Sequence, residues 1–343
     1  TNHCGTGHWW MKDLPFSDWI HQFPEYTGSN IAFSTAMDPN ASQYDANLQV
    51  SGWFVSSMPD MNLDNPFMLK YFQQWAIWWT EYSGQDGLRV DTYPYNEKVP
   101  MSKWCEAVMN EYPNFNIVGE CWDTNIDQLA YWQGGNANRD GFDSHLPSIM
   151  DFPLPEAVNA ALCEGDPQWG QGMVRVYSAL SHDATYNDVS KMLIFLDSDS
   201  VLVSVQMKAP WNWSINVPEA RISQVEPPSW WVGMKTPLQL MIHGEAIADY
   251  DVRIEGEGVS VKEIHKAESP NYLFVDVAVS PSAKPGEYGI IFTKDGKSFR
   301  YPYQLAAREE GSAERGGFTT SDLIYLICPD RFANADKGND NTD

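Results

Sequence analysis

Two different periods of apolar and polar positions divide the chain into an earlier and a later part. Residues 1–200 carry helical patterns separated by short apolar runs, and the clearest helical pattern is "DNPFMLKYFQQWAIWWTEYSGQDG" at 64–87. Asn65 can cap its first turn, Pro66 suits the first helical position, and Gly84 can end it. The spacing predicts a long helix that leads directly into the next apolar run.

Short apolar runs follow the helices in the earlier part. The run "LRVD" (88–91) comes directly after the first helix, and "NIVGE" (116–120) comes after a second helical pattern at 100–112. A third apolar run, "KMLIFLD", stands at 191–197. Strands that alternate with helices favour a parallel sheet with helical crossovers, and therefore an α/β fold.

Alternation with a period of two is typical of residues 214–306. The alternating stretches, separated by turn signals, are PLQLMIHG, YDVRIEG, VSVKEIH, NYLFVDVAV, EYGIIFT and FRYPYQL. Strands at this spacing predict an immunoglobulin-like β-sandwich. The polar, Gly-rich residues 307–320 are interpreted as a linker, and residues 321–343 return to an apolar strand before a polar tail.

Composition narrows the class of partner. The 343 residues carry 22 Lys+Arg against 46 Asp+Glu, which is a formal net charge of −24. This balance argues against nucleic acid or an anionic membrane as a partner, because both need a basic face, and it suits a neutral substrate or a cation. No apolar run is long enough to insert into a membrane. The 15 Trp, 16 Tyr and 15 Phe fit either a large core or stacking on sugar rings.

The cysteines show no spacing that is typical of a disulfide framework or a zinc site. They are odd in number, far apart in the sequence, and without a C-x-x-C pair, so we expect free thiols. The five are Cys4, Cys105, Cys121, Cys163 and Cys328.

Charged residues stand at the ends of the first two predicted strands. Asp91 ends "LRVD", Glu120 ends "NIVGE", and Arg89 lies two positions before Asp91, so that it faces the same way. A β-α-β unit puts both carboxylates at one edge of a parallel sheet, where the catalytic groups of a (β/α)8 barrel collect. Two carboxyl groups about 5 Å apart serve retaining glycosidases as nucleophile and acid/base. The alternative is a buried Arg89–Asp91 ion pair that only stabilises the fold.

Aromatic residues follow both strand ends. Trp122 points the same way as Glu120 and is a candidate for stacking on a leaving-group sugar. Tyr93 and Tyr95 come at alternate positions after the first strand, and we expect them to line the same mouth. Cys121 points to the opposite side, so we expect it to pack behind the sheet.

Several short motifs resemble signatures of the α-amylase family of glycoside hydrolases. "GLRVDTYPY" and "IVGECW" are similar to its second and third signature regions, and "TNHCGTGHWW" resembles the part of the first region that ends in Asn-His. "MPDMN" and "VEPPSWWVGMKTPLQLMIHG" resemble the neopullulanase and cyclomaltodextrinase branch. "IYLICPDRFANADKGNDN" resembles the family's first barrel strand and calcium loop. Together the motifs extend over nearly the whole chain.

The resemblance implies a fold and a set of site residues. The implied architecture is a partial (β/α)8 TIM barrel plus an immunoglobulin-like β-sandwich. Asp91 would be the nucleophile, Glu120 the acid/base, and Arg89 the partner of Asp91. His3, with Asn2 beside it, would bind sugar in the subsite that contains the cleaved bond.

Oxygen-bearing side chains cluster in the stretch "NADKGND". Hard oxygen ligands at such spacing suit Ca²⁺, although the residues alone favour a solvated acidic tail. The resemblance to the family's calcium loop favours the Ca²⁺ site over the solvated tail. It implies a structural calcium ion that takes no part in catalysis. The candidate ligands are Asn334, Asp336, Asn339 and Asp340.

The order of the segments differs from that of the family. The chain begins with the middle and later barrel strands at 1–200, continues through a junction at 201–213, and reaches the sandwich and the first barrel strand only afterwards. The resemblance assigns the sandwich and first strand to the start, so a natural circular permutation and a reordered sequence both remain open. The stretch "SVLVSVQMKAP" (200–210) fits either an ordinary strand or the end of a secretory signal peptide. A signal peptide would imply a periplasmic or secreted protein, and an ordinary strand a cytoplasmic one.

The family's third catalytic carboxylate is not identifiable in this sequence. The family pattern expects a His-Asp pair shortly after "FLD", where this chain has Asp199 and Ser200. Three functions therefore stay open. The first is a retaining hydrolase of α-1,4 bonds in cyclodextrins, pullulan or maltooligosaccharides; the others are a transglycosylase with the same residues and a non-catalytic α-glucan binder. The oligomeric state is also open, with a homodimer as one alternative.

Overall fold

A computed structural model describes residues 2–166, 168–195, 222–319 and 321–322. The junction at 201–213, the predicted first barrel strand, the four candidate calcium ligands and Asp199 lie outside the described residues. The expectations for those segments therefore stay predictions.

The earlier part of the chain contains a parallel sheet. Its strands are hydrogen-bonded in the order β1-β2-β3-β4, and all three pairs are parallel. The strands are β1 (Gly87–Val90), β2 (Asn116–Gly119), β3 (Ser148–Met150) and β4 (Met192–Leu193). The predicted parallel sheet is confirmed, and in the described part of the chain it has four strands rather than the eight of a complete barrel.

Helices separate the strands of the parallel sheet. The described residues contain the α-helices α1 (Gln43–Ser51), α2 (Pro66–Ser83), α3 (Lys98–Glu111), α4 (Ile126–Trp132), α5 (Pro153–Cys163) and α6 (Met173–Ser181). Local signals set the bounds of α2 as predicted. The Asn65 side chain accepts hydrogen bonds from the amides of Phe67 and Met68 at 3.0 and 3.3 Å. Gly84 ends the helix in the left-handed conformation, with φ of 66°.

The later part of the chain forms two four-stranded sheets, ordered β5-β7-β10-β9 and β6-β12-β11-β8. Their strands are β5 (Ile222–Glu226), β6 (Ser229–Trp231), β7 (Leu238–Gly244), β8 (Asp251–Glu255), β9 (Val259–Lys266), β10 (Tyr272–Val279), β11 (Gly286–Lys294) and β12 (Lys297–Ala306). All pairs are antiparallel except β12 with β6. Buried side chains of both sheets, such as Leu240 and Ile290, fill the space between them, which confirms the predicted sandwich.

One face of the sandwich packs on α2. The Gln74 side chain donates to the backbone oxygen of Gln239 at 2.9 Å and accepts from the Gln239 amide at 2.6 Å. Beside this pair, the rings of Phe67 and Phe274 lie 4.5 Å apart. Polar and aromatic contacts together therefore join the sandwich to the helical layer.

The start of the predicted linker is held against the helices. Arg308 forms ion pairs with Glu81 at the end of α2, at 2.8 Å, and with Glu111 at the end of α3, at 2.6 Å. These three residues, named the linker cluster below, are buried or nearly so. The linker is therefore anchored at this point by charge pairing.

The structure also bears on the cysteines, on one pair of tryptophans and on membrane-spanning helices. The described cysteines, those at positions 4, 105, 121 and 163, are free thiols as predicted. The Trp230–Trp231 pair, for which sugar stacking was one alternative, is buried in the sandwich. Among the described residues, no helix has both the length and the apolar character needed to cross a membrane.

Candidate active site

The register of β1 and β2 brings the predicted carboxylates together. Val90 pairs with Gly119 at the ends of these parallel strands, so that Asp91 and Glu120 leave the sheet at the same edge. The Arg89 guanidinium lies between them and donates to Asp91 Oδ1 through Nη1 and to Glu120 Oε1 through Nη2. We name Arg89, Asp91 and Glu120 the strand-end cluster.

Backbone groups around Thr92 fix the position of Glu120. Thr92 adopts the left-handed conformation, with φ of 49°, and its amide donates to Glu120 Oε2 at 3.0 Å. The backbone of Glu120 is also held: its amide donates to the backbone oxygen of Val90 at 2.9 Å, and its backbone oxygen accepts from the Tyr93 amide at 3.0 Å. The chain therefore turns sharply after β1, and the turn orients the second carboxylate.

The two carboxylates differ in their environment. The Glu120 side chain is 10% exposed, whereas the Asp91 side chain is 34% exposed. Burial raises the pKa of Glu120, and the neighbouring Asp91 charge raises it further, while the Thr92 amide and Arg89 act in the opposite direction. A carboxyl group with a raised pKa is suited to hold a proton, and a more exposed carboxylate beside an arginine is suited to attack an electrophile.

His3 and Asn2 lie in the interior, contrary to the expectation of direct sugar contact. The His3 ring stacks on Phe54 with centroids 4.0 Å apart, and its Nε2 lies 3.4 Å from the Gly52 oxygen. Burial lowers the pKa of His3 to about 3. Asn2 is buried and donates to the Met61 oxygen at 2.9 Å. Neither side chain is open to a sugar in this structure, because both serve contacts inside the protein.

Tyr93 is also in the core, which corrects the expectation that it lines the mouth. Its hydroxyl lies 3.5 Å from Cys105 Sγ, and its ring packs against the Trp132 ring at 5.8 Å. The strand ends at Val90, and a 3₁₀ turn begins at Tyr93, so the alternation of side chains that the prediction assumed does not continue. Burial and the charge of Glu120 raise the pKa of Tyr95 to about 12.

Trp122 is exposed two residues after Glu120, and its stacking on a sugar stays a prediction. Its side chain is 55% exposed, and its ring stacks on Phe152 with centroids 5.6 Å apart and planes 14° apart. Cys121 is fully buried, in agreement with its predicted place behind the sheet. The exposed indole of Trp122, which stacks on the Phe152 ring, provides a flat apolar surface next to Glu120.

A buried group of acids and histidines was missed by sequence reasoning. His21 Nδ1 lies 2.6 Å from Asp60 Oδ2, and His21 Nε2 lies 3.4 Å from Glu97 Oε1. Burial is the main cause that raises the pKa of Asp60 well above its usual range and that of Glu97 to about 8. Asp60 lies in the motif "MPDMN", but no local pattern links it to His21, because the partners are 39 positions apart.

Ligand atoms for a metal ion do not converge at the strand-end cluster. Within the described ranges, only Glu263, His265 and Asp276 bring at least three ligand atoms of His, Cys, Asp or Glu within 4.8 Å of one another. They lie on the sandwich. The chemistry available at the strand-end cluster is therefore that of two carboxyl groups, one guanidinium and the exposed Trp122.

Known proteins resemble parts of this chain. A family model described as the N-terminal domain of cyclomaltodextrinase matches residues 224–309. Alpha-amylase 3 of Dictyoglomus thermophilum is 30% identical over 111 residues, which are 31% of this chain and 20% of that protein. An intracellular maltogenic amylase of Bacillus subtilis is 27% identical over 105 residues, which are 31% of this chain and 16% of that protein.

A solved structure also aligns with this one. The alpha-amylase from Geobacillus thermoleovorans, in complex with acarbose, has a TM-score of 0.44 and 23% identity, over 57% of this chain and 38% of that chain. The chain spans about a fifth or less of the length of the two curated relatives described above. The match at 224–309 covers the sandwich, and the two enzymes share stretches of related sequence with this chain. In these parts the chain is similar to glycoside hydrolases of the α-amylase family.

Proposed function

We propose that the strand-end cluster is the catalytic centre of a retaining α-glucan hydrolase. The observation that carries the proposal is the Arg89 guanidinium, which contacts both Asp91 and Glu120 at the ends of adjacent parallel strands. Retaining glycosidases need two carboxyl groups with different tasks, one ionised and one protonated. The difference in burial between Asp91 and Glu120 supports this division of tasks.

The proposed reaction has two displacement steps. In the first, an Asp91 oxygen attacks the anomeric carbon while Glu120 gives its proton to the leaving oxygen, so that the glycosidic bond breaks and a glycosyl ester forms. In the second, Glu120 takes a proton from water, which attacks the same carbon and releases Asp91. Arg89 orients the Asp91 carboxylate through the hydrogen bond from its Nη1.

The proposed substrates are α-1,4-linked glucans: cyclodextrins, pullulan and maltooligosaccharides. The match to a cyclomaltodextrinase N-terminal domain and the similarity to a maltogenic amylase support this class. Trp122, stacked on Phe152 and exposed next to Glu120, would carry the leaving-group sugar on its indole face. A structural Ca²⁺ at Asn334, Asp336, Asn339 and Asp340 is proposed because this stretch resembles the family's calcium loop and offers oxygen ligands.

A second candidate function is a non-catalytic α-glucan binder. The sequence observation that favours it is Asp199-Ser200, which stands where the family pattern expects a His-Asp pair. Without a third carboxylate, the sugar hydroxyls would not be polarised, and the α-glucan would bind without being cleaved. A transglycosylase would use the same residues as the hydrolase and differ only in the acceptor.

Release of reducing sugar from maltoheptaose and pullulan tests the proposal. Wild-type chain should release sugar, and Glu120→Gln should lower kcat/KM by about a thousandfold, because the leaving oxygen then receives no proton. Glu257→Gln, an exposed carboxylate on the sandwich, is the matched control and should behave as wild type. No release by any variant, with maltoheptaose still bound, would overturn the hydrolase and support the binder.

A further inference from the structure

Three side chains of the sandwich that can bind a metal ion converge on one small space. Glu263 and Asp276 face each other in register across β9 and β10, and His265 lies on the same face, two residues after Glu263. His265 Nε2 is 3.1 Å from Asp276 Oδ2, and His265 Nδ1 is 3.9 Å from Glu263 Oε1. One ligand atom from each residue lies within 4.8 Å of the other two.

Glu263 and Asp276 are two carboxylates that lie opposite each other on β9 and β10. Like charges that are directly opposite on neighbouring strands destabilise a sheet. Lys70 of α2 is near enough for the Asp276 charge to raise its pKa, but burial has the larger effect and lowers it to about 8. A bound divalent cation would offset the repulsion between the two carboxylates directly.

Surrounding contacts orient the potential ligands. The Gln239 side chain donates to Asp276 Oδ1 at 2.9 Å, which leaves Oδ2 directed towards His265. Gln239 is itself held by the two hydrogen bonds to Gln74 described above. Such second contacts, on a rigid sheet, are typical of metal sites, because they hold the ligands in a fixed orientation.

We propose that Glu263, His265 and Asp276 bind one divalent first-row metal ion, with Zn²⁺ as the best match. One imidazole nitrogen and two carboxylate oxygens are a Zn²⁺ ligand set, whereas Ca²⁺ prefers oxygen alone. Bonds of about 2.0–2.2 Å need the ligand atoms to move closer than in the metal-free arrangement. The exposed Glu263 side chain can rotate to close this gap, and water would complete the coordination. The site lies where the sandwich meets α2 and is separate from the proposed catalysis.

Isothermal titration of the full, chelator-treated chain with ZnCl₂ tests the proposal. We expect one saturable site per chain, and at least about tenfold weaker binding in His265→Gln and in Glu263→Gln, since each variant removes one ligand. Two surface substitutions, His182→Gln and Glu257→Gln, are matched controls that should leave the affinity unchanged. Cys163→Ser removes an exposed thiol that could bind Zn²⁺ by itself.

A second readout separates metal binding from misfolding. Zn²⁺ should raise the Tm of the wild type and of the controls, but not that of His265→Gln, whose Tm without metal should remain close to that of the wild type. The proposal is overturned by unchanged affinity in both ligand variants, by loss of binding only in Cys163→Ser, or by the absence of saturable binding in the wild type.

Discussion

The linker cluster and the strand-end cluster each combine one arginine with two carboxylates, yet they differ in burial. The Arg308 side chain is 12% exposed, and its two glutamates are almost completely buried. The Arg89 side chain is 46% exposed, and one of its two carboxylates is also open to solvent. The same three charges are thus enclosed in one place and accessible in the other.

The clusters also differ in how fully their oxygens are hydrogen-bonded. In the linker cluster, Thr236 donates to Glu111 Oε2 through both its amide and its hydroxyl, at 2.7 and 2.8 Å. Tyr112 and Ser312 donate to Glu81 Oε1 at 3.0 and 2.9 Å. In the strand-end cluster, the Thr92 amide supplies the additional hydrogen bond to Glu120. A buried cluster whose carboxylates accept several hydrogen bonds stabilises the fold, whereas an accessible cluster with oxygens facing solvent can react with a substrate.

Removing the arginine from the strand-end cluster should have the largest effect on activity. Arg89→Met should lower kcat/KM by about a thousandfold, because Asp91 loses the guanidinium that orients it. The free energy of unfolding should fall by only about 1 kcal/mol, since the Arg89 side chain is about half exposed to solvent. Kinetics on maltoheptaose and urea denaturation measure the two quantities. A large loss of stability with retained kcat/KM would reverse the comparison.

The same substitution in the linker cluster should produce the opposite outcome. Arg308→Met should lower the free energy of unfolding by about 3 kcal/mol, because it leaves two buried carboxylates without their cation. Activity per folded molecule should match that of the wild type. Urea denaturation followed by far-UV circular dichroism provides the measurement, with Arg300→Met on the exposed sandwich surface as control. Unaltered stability would contradict the assignment of a structural role.

The buried Glu97 is paired with a histidine rather than an arginine, and it should make stability depend on pH. Burial, with Asp60 as the second cause, raises the folded-state pKa of Glu97 from 4.5 to about 8. The folded state therefore binds a proton that the unfolded state has released, so stability is highest below about pH 4.5 for this group and falls as pH rises towards 8. Between pH 5 and pH 8, the free energy of unfolding should change less in Glu97→Gln than in the wild type, by on the order of 2 kcal/mol. Urea titrations at both pH values measure this difference. An unchanged slope would contradict the buried position.

Substitution of Trp122 should have the smallest effect of these changes, and the effect should be limited to substrate binding. Trp122→Ala should raise KM about fivefold and leave kcat within about twofold, because stacking on one sugar contributes about 1 kcal/mol. Trp122→Phe should restore most of the lost affinity. A fall in kcat at unchanged KM would mean that the indole acts on the chemical step instead of on the sugar.

Local signals account for what the sequence predicted. The start and end of α2 follow from Asn65 and Gly84, which act within one turn of the helix. The common edge of Asp91 and Glu120 follows from a β-α-β unit, which is always parallel when the strands are adjacent. By contrast, β3 has only three residues, too few to show a period.

Non-local contacts account for most of what the sequence did not predict. Arg308 and Glu81 are 227 positions apart, so no pattern along the chain links them. The inward direction of Tyr93 depends on the left-handed Thr92, a residue type without a strong preference for that conformation. The burial of His3 depends on its packing against Phe54, 51 positions later in the sequence.

The most direct test of the central claim is covalent trapping of the proposed nucleophile. A fluorinated maltosyl fluoride slows the second displacement and leaves the sugar on the enzyme, and mass spectrometry of peptic peptides locates it. We predict an ester on the peptide that contains Asp91, present also in Glu120→Gln because fluoride leaves without a proton, and absent in Asp91→Asn. Label on another carboxylate, or no label on a chain that hydrolyses maltoheptaose, would contradict the account.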